Sequence, residues 1–447
     1  MDKNILSIIN EHQHLELLIL FEHMNAVDIA EALEHAEAAP SIAAFRLLEE
    51  GLAADVFSYL SPERQQLFVS EFTDTEVEEI MDDLPVDDFV DFIEDVPEEV
   101  GKRVLESVSA EKSEIADRIL DYPEDSAGKI MTTEIVQLTA ESMVKDALQI
   151  IRTSGVDKET IYTCYVVDDE RKLIGVVTAD TLLYSHLTEK IGNLMDTTVI
   201  SAEAGDDQEE LALKFSKYDL IAMPVVNRSG QLVGIVTIDD ILRVMTEEDT
   251  EDFAKLVGVN PTDEPYMKTG VVTQTKNRII WLLVLMLAAT VAGAIIGAFE
   301  DALAVLPVLG AFIPMLMGAG GNAGAQSATV VIRGLALGEI TKSDIFKIIF
   351  NEAGIALICG VILGTANFIR ISIMYGNVEN NLTLALVVSV SLCITLVVAK
   401  TIGGMLPVAA KIFNRDPAVM AAPLITTIVD CTALLVFFII ASAAFGI

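Results

Sequence analysis

Apolar positions recur every three or four residues from the start of the chain to about residue 125. Stretches such as VDIAEALEHA (27–36), LPVDDFVDFIEDV (84–96) and EEVGKRVLESV (98–108) show it best, and this is the spacing of amphipathic helices. Polar turns separate them. SPER and PVDD open helices with a proline or a capping residue first and acids in the first turn. The pattern predicts an all-α N domain over 1–125, a small right-handed superhelical stack of helical hairpins. From 126 to about 245 β-branched runs appear and the segment repeats. KIMTTEIVQL and YTCYVVDDERKLIGVVTADTLL match NLMDTTVISA and IAMPVVNRSGQLVGIVTIDDIL. The turns DDERK and NRSGQ separate β-rich runs as hairpins require, so two α+β units are expected over 126–245. An acidic helix, TEEDTEDFAKLVGV, and a proline-containing link fill 246–275. Long apolar stretches follow over 276–447, and helices are predicted near 279–299, 302–338 (broken), 345–369, 382–410 and 418–446. Each is long enough to cross a bilayer. The whole reads as a multidomain chain ending in an all-α membrane domain of five transmembrane helices.

Charge sharpens this division. The chain of 447 residues carries a formal net charge of −38, but from Val271 onward eight acids face nine bases. The other 59 acids and 20 bases, a net of −39, belong to the first 270 residues. Such a surface repels nucleic acid and anionic headgroups and attracts cations. The four cysteines are far apart, which speaks against a disulfide framework or a paired-cysteine zinc site. The five histidines lack metalloprotease spacing. The opening MDKNILSIINEHQHLELL is amphipathic and charged rather than a cleavable signal, so a cytoplasmic N-terminus is expected. Lys276, Arg278, Arg333, Lys342, Lys347, Lys411 and Arg415 then fall at inner helix ends, and Glu300, Asp301 and Glu379 in outer loops. Arg370 is the exception. This distribution follows the positive-inside rule with the C-terminus outside, in a multi-pass protein of the cell membrane.

Within the apolar half, GAGGNAGAQSATVVIR (318–333) stands out. A phosphate loop needs Lys-Ser/Thr after its glycines, and none is present. Two readings remain: irregular backbone lining a hydrated cavity, or small residues that let helices approach closely. Asn322, Gln326 and Ser327 favour a hydrated path. Asp430 is the single acid in the last apolar stretch, and a carboxylate at that depth is a functional candidate by default. The alternative is a structural ion pair with Lys400, Arg333 or Arg370. Thr426 and Thr427 lie one turn earlier. Carboxylate, amide, hydroxyl and carbonyl oxygens form a hard-ligand set, and Mg²⁺, which keeps several waters, needs only one or two carboxylates. A two-fold dimer would double Asp430.

The repeated unit resembles a tandem pair of CBS domains. Over its full length the chain resembles the MgtE family of magnesium transporter-channels. The resemblance rests on the acidic N domain, YPEDSAGKIMTTE, the CBS pair, the acidic linking helix, GAGGNAGAQSATVVIRGLALGE and DPAVMAAPLITTIVD. It implies a homodimer with a cytosolic sensor and a Mg²⁺-conducting pore along the dimer interface. Asp430 is then the pore carboxylate, with Asn322, the backbone near Gly318 and Thr426 at the constriction. It also implies regulatory Mg²⁺ sites that close the pore when cytosolic Mg²⁺ is high. Their acids would be Asp87 and Asp91, which share a helix face, together with Asp207, Glu209, Asp219, Asp240, Glu248, Glu251, Asp252 and Asp416. CBS pairs also take adenine nucleotides, which implies ATP as a further ligand, with Thr237 and Asp240 at the ribose. The first copy reads Thr178-Ala-Asp-Thr181 and lacks that acid. Two positions depart from the family pattern: Ala422 stands where a polar residue is usual, and Arg243 where an acid is usual. At the second, a metal bridge is lost or replaced by a direct ion pair.

Other functions compete with a Mg²⁺ channel. A CBS-regulated carrier for Co²⁺ or Mn²⁺, or an H⁺-coupled one, would also use Asp430. An intramembrane enzyme needs a second carboxylate or a histidine in the membrane helices, and Glu352, expected near an inner helix end, is the sole candidate. No enzymatic activity is expected.

Overall fold

The computed structural model describes residues 3–11, 13–154, 158–262, 266, 267, 269–378, 380–418 and 422–446. Glu379, His12, residues 155–157 of the expected insertion in the first repeat, and the side chain of Ala422 lie outside the described residues. The chain divides into two compact units, Met1–Val244 and Met245–Ile447.

The first unit begins with ten short helices, from α1 (Lys3–Asn10) to α10 (Ala110–Leu120), each of eight to eleven residues. Phe45, Phe57, Phe68, Phe89 and Phe92 are fully buried among them. Local sequence sets the helix ends. Thr73 caps α7 (Asp74–Asp83) in a reciprocal capping box with Glu76, and prolines precede α8 (Val86–Asp95) and α9 (Glu98–Ser107).

Two three-stranded sheets follow, ordered β1-β2-β3 and β4-β5-β6. In each, a short strand pairs parallel with the first strand of an antiparallel hairpin: β1 (Gln137–Thr139) with β2 (Thr163–Val167) and β3 (Leu173–Thr178), then β4 (Ala202–Glu203) with β5 (Ala222–Val226) and β6 (Leu232–Thr237). The leading methionines form no strand of their own sheet. Thr132, beside Met131, instead bridges to Ile235 of the second repeat, and Asp196, beside Met195, bridges back to Val176 of the first. A Cβ on Gly175 would lie 2.8 Å from Met195 Sδ, and one on Gly234 would lie 2.7 Å from Met131 Sδ. Each hairpin glycine therefore leaves room for the other repeat's methionine. α14 (Gln208–Tyr218) packs within the second repeat, and α15 (Ile238–Leu256) is one uninterrupted helix.

Among its described residues the second unit contains five helices long and apolar enough to span a bilayer. α16 (Val271–Ala298) begins earlier than the apolar pattern alone suggests, because VVTQTKN is helical although polar. After the short α17 (Glu300–Val305) and a 3₁₀ turn over Pro307–Phe312 come α18 (Ile313–Ala336), α19 (Ile345–Met374), α20 (Asn381–Ile412) and α21 (Ala422–Phe445). The expected break in 302–338 lies in the 3₁₀ turn, ahead of the glycines. The reading of the glycine stretch as irregular backbone is thus corrected: Gly318–Arg333 is regular α-helix, which satisfies its own backbone groups in lipid. Its glycines serve packing. A Cβ on Gly320 would lie 2.9 Å from both Thr395 Cγ2 and Val429 Cγ1, and one on Gly324 2.9 Å from Ile425 Cγ2. Across the crossing, a Cβ on Gly403 of α20 would overlap the carbonyl of Gly324.

Candidate functional site

The same glycines bring the candidate membrane residues together. A Cβ on Gly321 would sit 3.2 Å from Thr426 Cγ2 and 3.6 Å from Asp430 Oδ1, so the Asp430 turn of α21 lies directly against α18. Among the described residues Asp430 makes no ion pair, and none of Lys400, Arg333 and Arg370 reaches it. Thr426 and Thr427 both donate to the Pro423 carbonyl, at 2.9 and 3.0 Å, which leaves their oxygen lone pairs as acceptors. Gly318, Asn322, Gln326, Thr329 and Arg333 form one exposed stripe along α18, at the spacing of a single helix face. Gly318 is open, with nothing within 4 Å of a built Cβ. Its backbone, which the resemblance places near the constriction, is part of the regular helix α18.

One membrane feature was missed in the sequence. Glu352 lies about two turns into α19, near the helix end as expected, and there it packs against α18 and α20. Ser327 Oγ donates to Glu352, and Lys400 Nζ donates to Ser327 Oγ at 3.4 Å. The three side chains are 2%, 9% and 8% exposed for Ser327, Glu352 and Lys400. A one-dimensional pattern shows each residue singly; the contact needs the helix crossing at Gly324 and Gly403.

In the first unit, α8 turns Asp87, Asp88 and Asp91 toward the start of α15. Arg243 Nη2 lies 3.0 Å from Asp240 Oδ1 and 3.4 Å from Asp91 Oδ2, and its Nη1 4.0 Å from Asp88 Oδ1. This is the direct ion pair that the departure at Arg243 suggested. Asp240 also accepts from Thr237 Oγ1 at 2.8 Å, so both candidate ribose-binding residues are engaged internally. Asp87 is 6% exposed, and its Oδ1 has no hydrogen-bond partner. Burial, then Asp240, Asp88 and Glu159, push the Asp87 carboxyl well above the usual range. Burial also raises Asp91 to about 6 despite Arg243. Glu159, which the sequence reading omitted, is raised to about 7 by burial and then by Asp239, Asp240 and Glu134. Burial opposes charge on Arg243, but Asp91, Asp240 and Asp88 outweigh it and raise its pKa. One guanidinium thus faces an excess of crowded carboxylates.

Other expected sensor acids have local roles. Asp207 caps α14, accepting from the Glu209 amide at 2.9 Å, and Asp219 ends that helix in the left-handed region at φ 51°. In the second unit Lys255 Nζ pairs with Glu251, and with Asp416 Oδ2 at 2.7 Å. Burial, then Asp416, raises the neighbouring Asp252. Glu248 lies between these sets on α15. Among the described residues no three acidic, histidine or cysteine side chains are arranged to enclose a metal ion.

Comparison with known proteins agrees with this architecture. Residues 313–440 match the MgtE divalent cation transporter family, 24–125 the MgtE intracellular N domain, and 127–186 and 191–247 the CBS domain. A magnesium transporter MgtE from Thermus thermophilus is 33% identical over 398 residues, covering 88% of this chain and 87% of that one. Its namesake from Bacillus subtilis is 33% identical over 437 residues, covering 98% and 93%. The crystal structure of the soluble part of a magnesium transporter aligns with a TM-score of 0.52 at 28% identity, over 55% of this chain and 96% of that one.

Proposed function

This chain belongs to the MgtE family, a group of multi-pass membrane proteins, and from that premise we propose that it carries Mg²⁺ into the cell as a homodimer gated by cytosolic Mg²⁺. The observation that carries this reading is the polar stripe of α18 beside Asp430. Asn322, Gln326, Thr329 and Arg333 are exposed on a helix that must cross a bilayer. Polar side chains facing lipid are costly; facing a second copy across a water-filled path, they are not. Two Asp430 carboxylates on a shared axis would attract a divalent cation that keeps its waters, with the Asn322 amide and Thr426 oxygen accepting from those waters. Lys276 and Arg278 at the start of α16 support the N-terminus and both sensor regions on the cytoplasmic side, with the C-terminus outside.

Gating follows from the acids. With little cytosolic Mg²⁺, the carboxylates of α8, Asp240 and Glu159 repel, and the N domain and CBS pair separate. Mg²⁺ bridging Asp87, Asp91 and Asp240, with further ions at Asp207, Glu209 and Asp219, draws them together. By linkage the compact state is the one that Mg²⁺ favours. α15 runs unbroken from Asp240 through Glu248, Glu251 and Asp252 to Lys255, which pairs with Asp416 before α21. It is the lever by which closure reaches the pore. ATP at Thr237 and Asp240 would have to replace their internal hydrogen bond.

Mg²⁺ uptake into proteoliposomes tests both parts on the full-length chain. Asp430→Ala is expected to abolish uptake, and Asp87→Asn/Asp91→Asn to flatten inhibition by Mg²⁺ on the sensor side. Normal uptake by Asp430→Ala would remove the pore reading. Uptake driven by a pH gradient and indifferent to membrane potential would favour an H⁺-coupled carrier.

A further inference from the structure

Two ionisable side chains buried between membrane helices, away from Asp430, need an account. Glu352 and Lys400 form no direct ion pair; Ser327 stands between them, accepting from the lysine and donating to the carboxylate. Packing places them there. Gly324 and Gly403 let α18 and α20 touch, and a Cβ on Gly404 would lie 3.0 Å from Glu352 Cγ, so the bare backbone of α20 leaves the space that the glutamate fills. A merely structural pair would gain most from direct contact, since buried charges otherwise cost several kcal/mol each. The network is also not sealed. A cavity of about 800 Å³ is lined by Glu352, Lys400 and Ser327 together with Asn322, Gln326 and Thr329 of the exposed α18 stripe. Among the described residues the side-chain amides of Asn322 and Gln326 make no hydrogen bond. The cavity lining thus includes one carboxylate, two amide oxygens and a flexible ammonium, with carboxylate and ammonium held to the same serine hydroxyl.

We propose that Glu352 is a second post for the hydrated divalent cation, and that Lys400 is its tethered counter-ion, bound through Ser327 whenever the cavity holds no such cation. The proposal rests on the reading that α18 lines a Mg²⁺ path. An arriving Mg²⁺ keeps its waters, which donate to Glu352, Asn322 and Gln326, and its charge displaces the ammonium along the cavity on its four-carbon stem. When the ion leaves, Lys400 returns. Conduction needs sites strong enough to enter and weak enough to leave; the returning lysine supplies the second condition without removing the carboxylate.

Mg²⁺ uptake by the full-length protein in proteoliposomes, measured against Mg²⁺ concentration, tests this. Lys400→Met leaves Glu352 uncompensated, so half-saturation is expected to fall about tenfold while the maximal rate drops. Glu352→Gln should raise half-saturation, and the double variant should resemble Glu352→Gln. Lys400→Arg should stay near the parent, and Ser327→Ala, which cuts the bridge without changing charge, should shift half-saturation in the direction of Lys400→Met. A structural bridge gives another pattern: both charge-removing single variants lose folded protein by size exclusion and the double variant recovers parental uptake. That pattern overturns the proposal, as does unchanged half-saturation in conducting Lys400→Met or Ser327→Ala. If the parent takes up no Mg²⁺, the pore reading itself has failed. Should Lys400→Met not fold, Ser327→Ala and Glu352→Gln decide the question, because the proposal requires them to shift half-saturation in opposite directions.

Discussion

Asp91 and Glu159 keep their protons to about pH 6 and 7, where ordinary carboxylates have lost them, and burial is the first cause in both. Asp87, Asp88 and Asp240 are shifted the same way, again first by burial. The sign of the consequence is fixed. Acids whose folded pKa is raised bind more protons when folded than when unfolded, so their contribution is favourable at low pH and is lost as pH rises through the folded values. Loosening between roughly pH 4 and 7 is therefore expected where α8 meets the start of α15, and divalent cations should oppose it. Hydrogen exchange of peptides covering 86–95 and 238–243, corrected for intrinsic rates, should rise across that window in Mg²⁺-free buffer and rise less with Mg²⁺. Protection that ignores pH would show that the crowding is relieved some other way. The single tryptophan cannot report this, because Trp281 lies in α16. At this scale the sequence was partly legible. Asp87 and Asp91 share a face by simple periodicity, and the charge at Arg243 announced an ion pair. Asp88 and Glu159 acquire their place only when separate elements meet, and spacing along the chain does not encode that.

Between elements, glycine decides how closely helices cross. Gly403→Ala must push α20 off the Gly324 carbonyl, and overpacking of that kind typically costs about 1–3 kcal/mol. Gly318→Ala meets nothing within 4 Å and should leave stability unchanged, although both residues are glycines in membrane helices. Thermal unfolding of the two variants in detergent compares them directly; equal melting would mean that the crossing is looser than described. Periodicity and hydropathy were enough to find the five membrane helices. They could not tell a helical glycine run from a broken one, because composition is the same in both cases and the difference lies in what faces Gly320, Gly321 and Gly324. The polar start of α16 escaped notice for a related reason: hydropathy marks the apolar part of a helix and not its ends.

Over the whole molecule, the exposed polar α18 stripe is the feature on which the proposed homodimer rests. If two copies face each other across that stripe, Asn322→Cys should form a disulfide-linked dimer under mild oxidation, visible on a non-reducing gel in a background without the native Cys359, Cys393 and Cys431. Cysteine in place of the apolar Leu283 on α16, which is 48% exposed and lies off the proposed α18 interface, should crosslink far less. Equal crosslinking of both would argue against a dimer built on α18. The sequence shows a division into an acidic part and an apolar part at about residue 270, whereas the compact units divide earlier, within α15, after Val244. A symmetric partner leaves no mark in a single sequence beyond a polar face with nothing to cover it.

The exchanged methionines of the two repeats carry a consequence for how the chain is made. As it leaves the ribosome, the first repeat emerges with the groove above Gly175 empty and is completed soon afterwards by Met195. Met131 must wait much longer, until the strand bearing Gly234 has been synthesised. Neither repeat is a finished object alone, so a nascent chain halted between them holds an open apolar notch and a stranded methionine. The two repeats are therefore expected to mature as a pair, each closing the other.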